Sequence, residues 1–316
     1  MDPCAVSRIN RRNVLDVAGL TALHTKRLDQ MSASAALAIS SSSAHYPGQV
    51  LAEANPDAER LGQAGEMLGL IDVALSEFTH PADRRGLAWD IRHFHQLTEL
   101  VEHTPSPEHR RLAQSVFRLF GENVVPRLGG LETQVIHGDF SPYNVVVDPR
   151  TDHFVTGVID FGDTVRSAVI FDPAVPMANL LGRTPEQPWR DACAFAADFQ
   201  RERPIQVSEL PLLPIAALAR LTLRALITNW RAEHAPDRRE YLLGHAKDDW
   251  INVELALAVS LNDVITHLRE APQGQSSRAS SKQSAVFTRN RIGASSWPFP
   301  RCSSGRSTSR STATAR

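Results

Sequence analysis

The residues whose types and spacing point to chemistry lie in two short blocks. His137-Gly138-Asp139-Phe140-Ser141-Pro142-Tyr143-Asn144 is followed by Asp160-Phe161-Gly162-Asp163, with sixteen residues from Asn144 to Asp160. A carboxylate and an amide oxygen are hard ligands suited to a Mg²⁺ ion that also binds substrate phosphates. A further carboxylate, kept off the metal, can orient or deprotonate an attacking hydroxyl. Asp139, Asn144 and Asp160 are therefore the parts of a phosphoryl-transfer site.

These side chains act together only if the chain folds them to one place. The runs Asn144–Val147 and His153–Ile159 are β-branched and flank Asp148-Pro149-Arg150-Thr151-Asp152, which predicts a hairpin. An antiparallel ribbon returns its two outer ends to the same side, so Asn144 and Asp160 meet beside the loop that carries Asp139. Gln134-Val135-Ile136 leads into that loop. The rest reads as helix: Pro56 to about Phe78 after the cap candidate Asn55, Leu87 to His103, and Pro107 to about Leu128 after the cap candidate Ser106. After the hairpin come Asp172–Leu181, Trp189–Arg203, Leu213–His234 and Asp248–Leu268. Asp172-Pro173 reads as a helix N-cap followed by a first-turn proline. Trp230 and Trp250 read as core residues of their helices rather than pocket walls.

The chain has 316 residues, 42% apolar, 22% charged and 6% aromatic, a globular composition. No stretch approaches the ~18 uninterrupted apolar residues of a membrane span, and the N-terminus has no long apolar leader. Neither a membrane nor a secretory destination is expected. Cys4, Cys193 and Cys302 are far apart, which argues against a zinc knuckle or a disulfide framework and for a reducing, cytoplasmic setting. Residues 1–46 include a run of almost pure Ser and Ala from Ser32 to Ser43 and read as a poorly ordered remnant. Residues 272–316 hold no Asp or Glu and carry a charge of +8 against −9 for the rest of the chain. They read as a basic, Ser/Arg-rich disordered tail. That tail lacks regular aromatic interleaving, so nucleic acid is not an expected partner.

The pattern His-x-Asp-(x)4-Asn followed by Asp-Phe-Gly is that of the protein-kinase catalytic and metal-binding loops. Gly138 stands where a protein kinase has arginine. With Val135–Asp139, Gly157–Asp163, Leu75–Pro81 and Trp89-Asp90 beside it, the chain resembles the aminoglycoside phosphotransferase and choline kinase family. It looks most like the hydroxylysine kinase-like branch, over about Pro47 to Ala271. The resemblance implies an α+β fold for residues 47–271: the C-lobe of a protein-kinase-like fold, mostly helical with a central β-hairpin. It also implies a Mg²⁺-dependent kinase that moves the γ-phosphoryl of ATP or GTP to a hydroxyl of a small amino-bearing metabolite, such as hydroxylysine or an aminoglycoside. Residue by residue, Asp139 matches the catalytic aspartate, and Asn144 and Asp160 match the Mg²⁺ and nucleotide ligands. His137 matches a position that supports the loop. Asp163 stays open between contact with a cationic substrate group or second metal and a cap of the next turn. The same branch occurs fused ahead of a class III aminotransferase, which implies such a domain encoded downstream.

A nucleotide-cradling N-lobe would take on the order of 70 residues. Residues 1–46 contain no Gly-rich loop, and none of the lysines, Lys26, Lys247 and Lys282, lies in a strand-like run. The N-lobe therefore reads as missing or degenerate, and the two ends as frame-shifted sequence or as the margins of a catalytic-lobe remnant. The functional expectations are an active small-molecule kinase, a catalytically inactive relic of one, or an adaptor acting through its basic tail.

Overall fold

A computed structural model of the chain describes residues 48–270. The expectations for residues 1–46 and 272–316 fall outside the described residues. The chain enters through β1 (Gln49–Val50), then α1 (Ala58–Leu75) and α2 (Pro107–Asn123). The β-rich centre follows: β2 (Thr133–Ile136), β3 (Val145–Val147), β4 (Val155–Val158) and β5 (Val165–Ala168). Beyond it come α3 (Phe171–Leu180), α4 (Arg190–Glu202), α5 (Leu213–His234), α6 (Arg239–His245), α7 (Asp249–Leu257) and α8 (Leu261–Glu270). The result is an α+β fold, mostly helical around two small antiparallel sheets.

The expected hairpin is present: β3 and β4 pair antiparallel, with Val145 opposite Val158 and an irregularity between Val146 and Val147. β1 adds to its outer edge, Gln49 opposite Val147. β2 pairs instead with β5, from Thr133 opposite Ala168 to Ile136 opposite Val165. β5 lies where the sequence reads as loop leading to helix. Its Arg166 and Ser167 interrupt the apolar run, and both are held by distant partners: Ser167 donates to Asp90 and Arg166 to Asp83, each at 2.9 Å.

Three helix expectations need correction. The cap of α1 is Asp57, which accepts the Arg60 N–H at 2.9 Å, while Asn55 accepts from Arg183 instead. Leu87–His103 forms two 3-10 segments, Ile91–Gln96 and Thr98–His103. The run His93-Phe94-His95 is poor in helix formers, and its fold follows the packing of Phe94, which stacks on Phe117 at 4.2 Å and meets Phe120 edge-on at 5.3 Å. The last expected helix breaks into α7 and α8, bent by 83°; the Ser260 carbonyl accepts the N–H groups of Asp263 and Val264 and starts the new helix there.

The core is built around α5. Every residue from Leu213 to Asn229 except Arg224 is buried. The stretch Leu210–His234 is long and apolar enough to cross a membrane, with mean hydropathy 1.7, but 89% of that apolar window is buried inside the protein. α1 lies on α4 at glycine-limited distance: a Cβ at Gly65 would stand 2.1 Å from the Phe195 carbonyl oxygen. These packed helices form the floor on which the β-rich centre rests.

Candidate active site

β2 delivers the chain into the loop His137–Asn144. Gly138 turns there with φ +77°, and a Cβ on it would come within 2.8 Å of the Asp163 carbonyl oxygen. Glycine is thus required both by the left-handed conformation and by the close approach. The fully buried Asp172, in the first turn of α3, takes the His137 N–H on one carboxylate oxygen (2.8 Å) and the Gly138 N–H on the other (2.9 Å). The expectation that Asp172 is a helix cap is therefore corrected: its side chain anchors the loop, 34 and 35 residues away.

His137 is buried between Phe140 and Phe161. Its Nε2 lies 3.3 Å from the Ile159 carbonyl and its Nδ1 accepts the Asp139 N–H at 3.2 Å. An Nε2–H tautomer meets both partners at once. The ring thereby ties the start of the loop to the end of β4.

The hairpin register brings the two blocks together, with the Ile159 N–H donating to the Asn144 carbonyl at 2.9 Å. Asp160, the next residue, adopts φ 60° and ψ 65°, the one non-glycine with positive φ among the described residues. That region is sparsely populated for a side-chain-bearing residue and recurs at functional sites. One Asp160 oxygen accepts the Gly162 N–H at 3.2 Å. Arg85 braces the same turn from outside, donating to the carbonyls of Gly162 and Thr164.

Asp139 is gripped on both oxygens. Arg220 of α5 donates from Nη2 to Oδ1 at 3.1 Å, and Asn144 Nδ2 donates to Oδ2 at 2.9 Å and to the Asp139 carbonyl at 2.9 Å. Spending Nδ2 in this way leaves Asn144 Oδ1 with no hydrogen bond among the described residues. Asp163 is pushed above the ordinary carboxylate value, first by burial and then by the charges of Asp139 and Asp160. Three acids in one field with an uncommitted amide oxygen suit a hard cation. Among the described residues no three His, Cys, Asp or Glu side chains close into a metal cage, so an ion here would share its shell with other oxygens. A small cavity behind the loop is walled by Trp89, Asp90, Ile136, Gly138, Asp163 and Phe171.

Sequence reasoning missed Arg220, Asp172, Arg85 and the fully buried Asp72 of α1, which lies against Asp172 and is pushed well above the carboxylate range by burial and by that neighbour's charge. Arg220 did leave a signal: with Arg224 it is one of two charged residues inside the largely apolar run Leu213–Asn229. Trp250 is buried and stacks on His109 at 5.1 Å, and Trp230 stacks on His234 at 4.5 Å.

A model of the phosphotransferase enzyme family matches residues 44–205. Hydroxylysine kinase of Mus musculus is 24% identical over 220 residues, covering 66% of this chain and 58% of that protein. Hydroxylysine kinase of Xenopus laevis is 23% identical over 222 residues, covering 66% and 59%. The chain thus spans less than two thirds of the length of these relatives. Among solved structures, a microcompartment-associated aminopropanol kinase is similar in fold, with a TM-score of 0.50 at 16% identity over 64% of this chain and 63% of that one.

Proposed function

The chain belongs to the phosphotransferase enzyme family, and from that membership and the site geometry we propose that it is a Mg²⁺-dependent kinase moving the γ-phosphoryl of ATP or GTP to a hydroxyl of a small amino-bearing metabolite, with hydroxylysine the first candidate. The observation that supports the reading is the double grip on Asp139 by Arg220 and Asn144, within a field that Asp139, Asp160 and Asp163 share.

In this reading Asp139 receives the acceptor hydroxyl, aligns it and takes its proton as the hydroxyl oxygen bonds the γ-phosphorus and the bond from that phosphorus to the leaving nucleoside diphosphate breaks. Asn144 and Asp160 hold the metal, and His137 and Asp172 keep the loop in place. Bound there, Mg²⁺ supplies neutralisation of charge on the phosphates. Asp163, half-buried and close to both other acids, meets the cationic amine of the acceptor. Positioning of this kind contributes several kcal/mol to such reactions.

Phosphate transfer from ATP and from GTP to a panel of hydroxylated amines, with and without Mg²⁺, tests the proposal on the full chain. Expected is Mg²⁺-dependent transfer to hydroxylysine, with kcat lowered about 10²- to 10⁴-fold by Asp139→Asn and nucleotide affinity little changed. Absence of transfer to every acceptor with both nucleotides would overturn it.

A further inference from the structure

Arg220 does more in this geometry than hold Asp139. Its side chain is 10% exposed, and only Nη2 is committed to a protein acceptor, at Asp139 Oδ1. Nη1 is buried and has no hydrogen-bond partner among the described residues. A buried, unsatisfied nitrogen on a guanidinium is a costly arrangement; the charge of Asp163 acts on the same group, but among the described residues no carboxylate hydrogen-bonds this nitrogen. The Arg220 guanidinium lies 5.0 Å from the centre of the Trp89 ring, and that of Arg231, three turns further along α5, lies 5.2 Å from the same centre. No described carboxylate lies within ion-pair range of Arg231. By contrast Arg224, on the same helix, is fully engaged by Asp249 and Asn179. Two arginines are thus left with spare donors around one aromatic ring, immediately beside the carboxylate that faces the acceptor.

Resting on the kinase reading above, we propose that Arg220, assisted by Arg231, binds a carboxylate of the acceptor, so that the preferred substrate is a hydroxy-amino acid rather than a polycationic aminoglycoside. The two terminal nitrogens of a guanidinium are neighbours, so an anion on Nη1 sits next to the hydroxyl on Asp139. That juxtaposition suits a molecule whose hydroxyl and carboxylate are separated by a few carbons. Arginine's planar fork matches a carboxylate, and Trp89 covers the guanidinium and limits competing water. A polyamine without an anion would leave Nη1 unsatisfied and bring added positive charge against it.

The test compares 5-hydroxylysine with its decarboxylated counterpart, 1,5-diaminopentan-2-ol, on the full chain. In the unmodified protein hydroxylysine should have a KM lower by about tenfold or more, the usual worth of a charge-assisted hydrogen bond. Arg220→Lys should raise the KM for hydroxylysine by about the same factor while leaving that for the diamine within about twofold. Any fall in kcat should be shared by both acceptors, because it reports the grip on Asp139. Arg231→Gln, at a half-exposed position, should shift the hydroxylysine KM alone and by less. Equal KM values for the two acceptors in the unmodified protein, or equal KM changes in Arg220→Lys, would overturn the carboxylate site while leaving the kinase reading intact. If neither acceptor is phosphorylated, calorimetric titration of hydroxylysine and of the diamine decides the point. Preferential, Arg220-dependent binding of hydroxylysine supports the site even as the kinase reading fails, and equal or absent binding overturns it.

Discussion

The loop His137–Asn144 and helix α5 reach order by opposite routes. α5 carries its own instructions: an apolar run of helix formers, Leu213 to Ile227, that is buried on nearly every side and would pack in much the same way with modest changes of side chain. The loop carries almost none. Its turn needs Gly138, its N–H groups are taken by Asp172, its histidine reaches to Ile159, and its central aspartate is held by Arg220. The difference separates a segment stabilised by area from one stabilised by a few exact partners. The second kind fails one contact at a time.

Asp172 offers the most severe way to break the contrast. Asp172→Ala leaves two loop N–H groups without acceptors, each costing about 1–3 kcal/mol. Urea unfolding should show a loss of about 3 kcal/mol, together with loss of phosphate transfer. A stability change below about 0.5 kcal/mol would mean that the loop holds its own shape, and the comparison would collapse. Next in size is Gly138→Ala, which places a side chain at φ +77° and within 2.8 Å of the Asp163 carbonyl. It should cost about 2 kcal/mol from the left-handed backbone and the contact together, and lower kcat through Asp139. An unchanged kcat would show that the turn does not set the position of the carboxylate.

The same contrast explains what was legible in the sequence. The bounds of α5 and the pairing of the β3–β4 hairpin follow from periodicity and β-branched runs, which are local signals. The return of the chain at Ile159 to Asn144, which sets Asp160 in sequence next to that contact, was legible because the hairpin geometry is local too. Asp172, Arg85, Asp72 and Arg220 were not, since each acts on a residue 34 to 81 positions away or on another buried acid. β5 escaped for the same reason: its order comes from β2, Asp90 and Asp83 rather than from its own residues. The 3-10 conformation of Ile91–Gln96 is likewise set by the aromatic contacts of Phe94.

The buried Asp72–Asp172 pair sharpens the comparison through pH. Burial and the Asp172 charge raise the Asp72 value in the folded protein well above that of an exposed carboxylate. Below the unfolded value both states carry the proton and stability is highest. As pH rises through the window up to the folded value, the unfolded chain gives up the proton first and stability falls, by up to about 1.4 kcal/mol per pH unit. Asp72→Asn replaces the neutral carboxyl by a neutral amide that can still donate to Asp172, and should flatten this decline, so that the variant gains on the unmodified protein as pH rises above the ordinary carboxylate value. Parallel stability curves for the two proteins across that range would show that Asp72 does not carry the proton.

The smallest expected effect lies in the helical body, where a local signal should produce a purely local cost. Ser106 caps α2, its hydroxyl accepting the His109 N–H at 3.3 Å, with Pro107 in the first turn. The cap satisfies one of the orphan donors at the helix start, and its removal usually costs about 0.5–2 kcal/mol; the long contact here places Ser106→Ala at about 0.5–1 kcal/mol by thermal or urea unfolding. α2 supplies no residue of the site and meets its neighbours by apolar packing, Phe117 and Phe120 against Phe94 and Ala113 against Ala225 and Leu226 of α5, so kcat and KM should stay within about 1.5-fold, a change worth less than half of RT ln 10. A stability loss of this size with unchanged kinetics is what separates a locally encoded helix from the loop, where the loss of either Asp172 or Gly138 must register in both measurements. If Ser106→Ala altered the kinetics as much as the stability, the helical body would be coupled to the loop through Phe94, and the two regions would have to be treated as one cooperative unit.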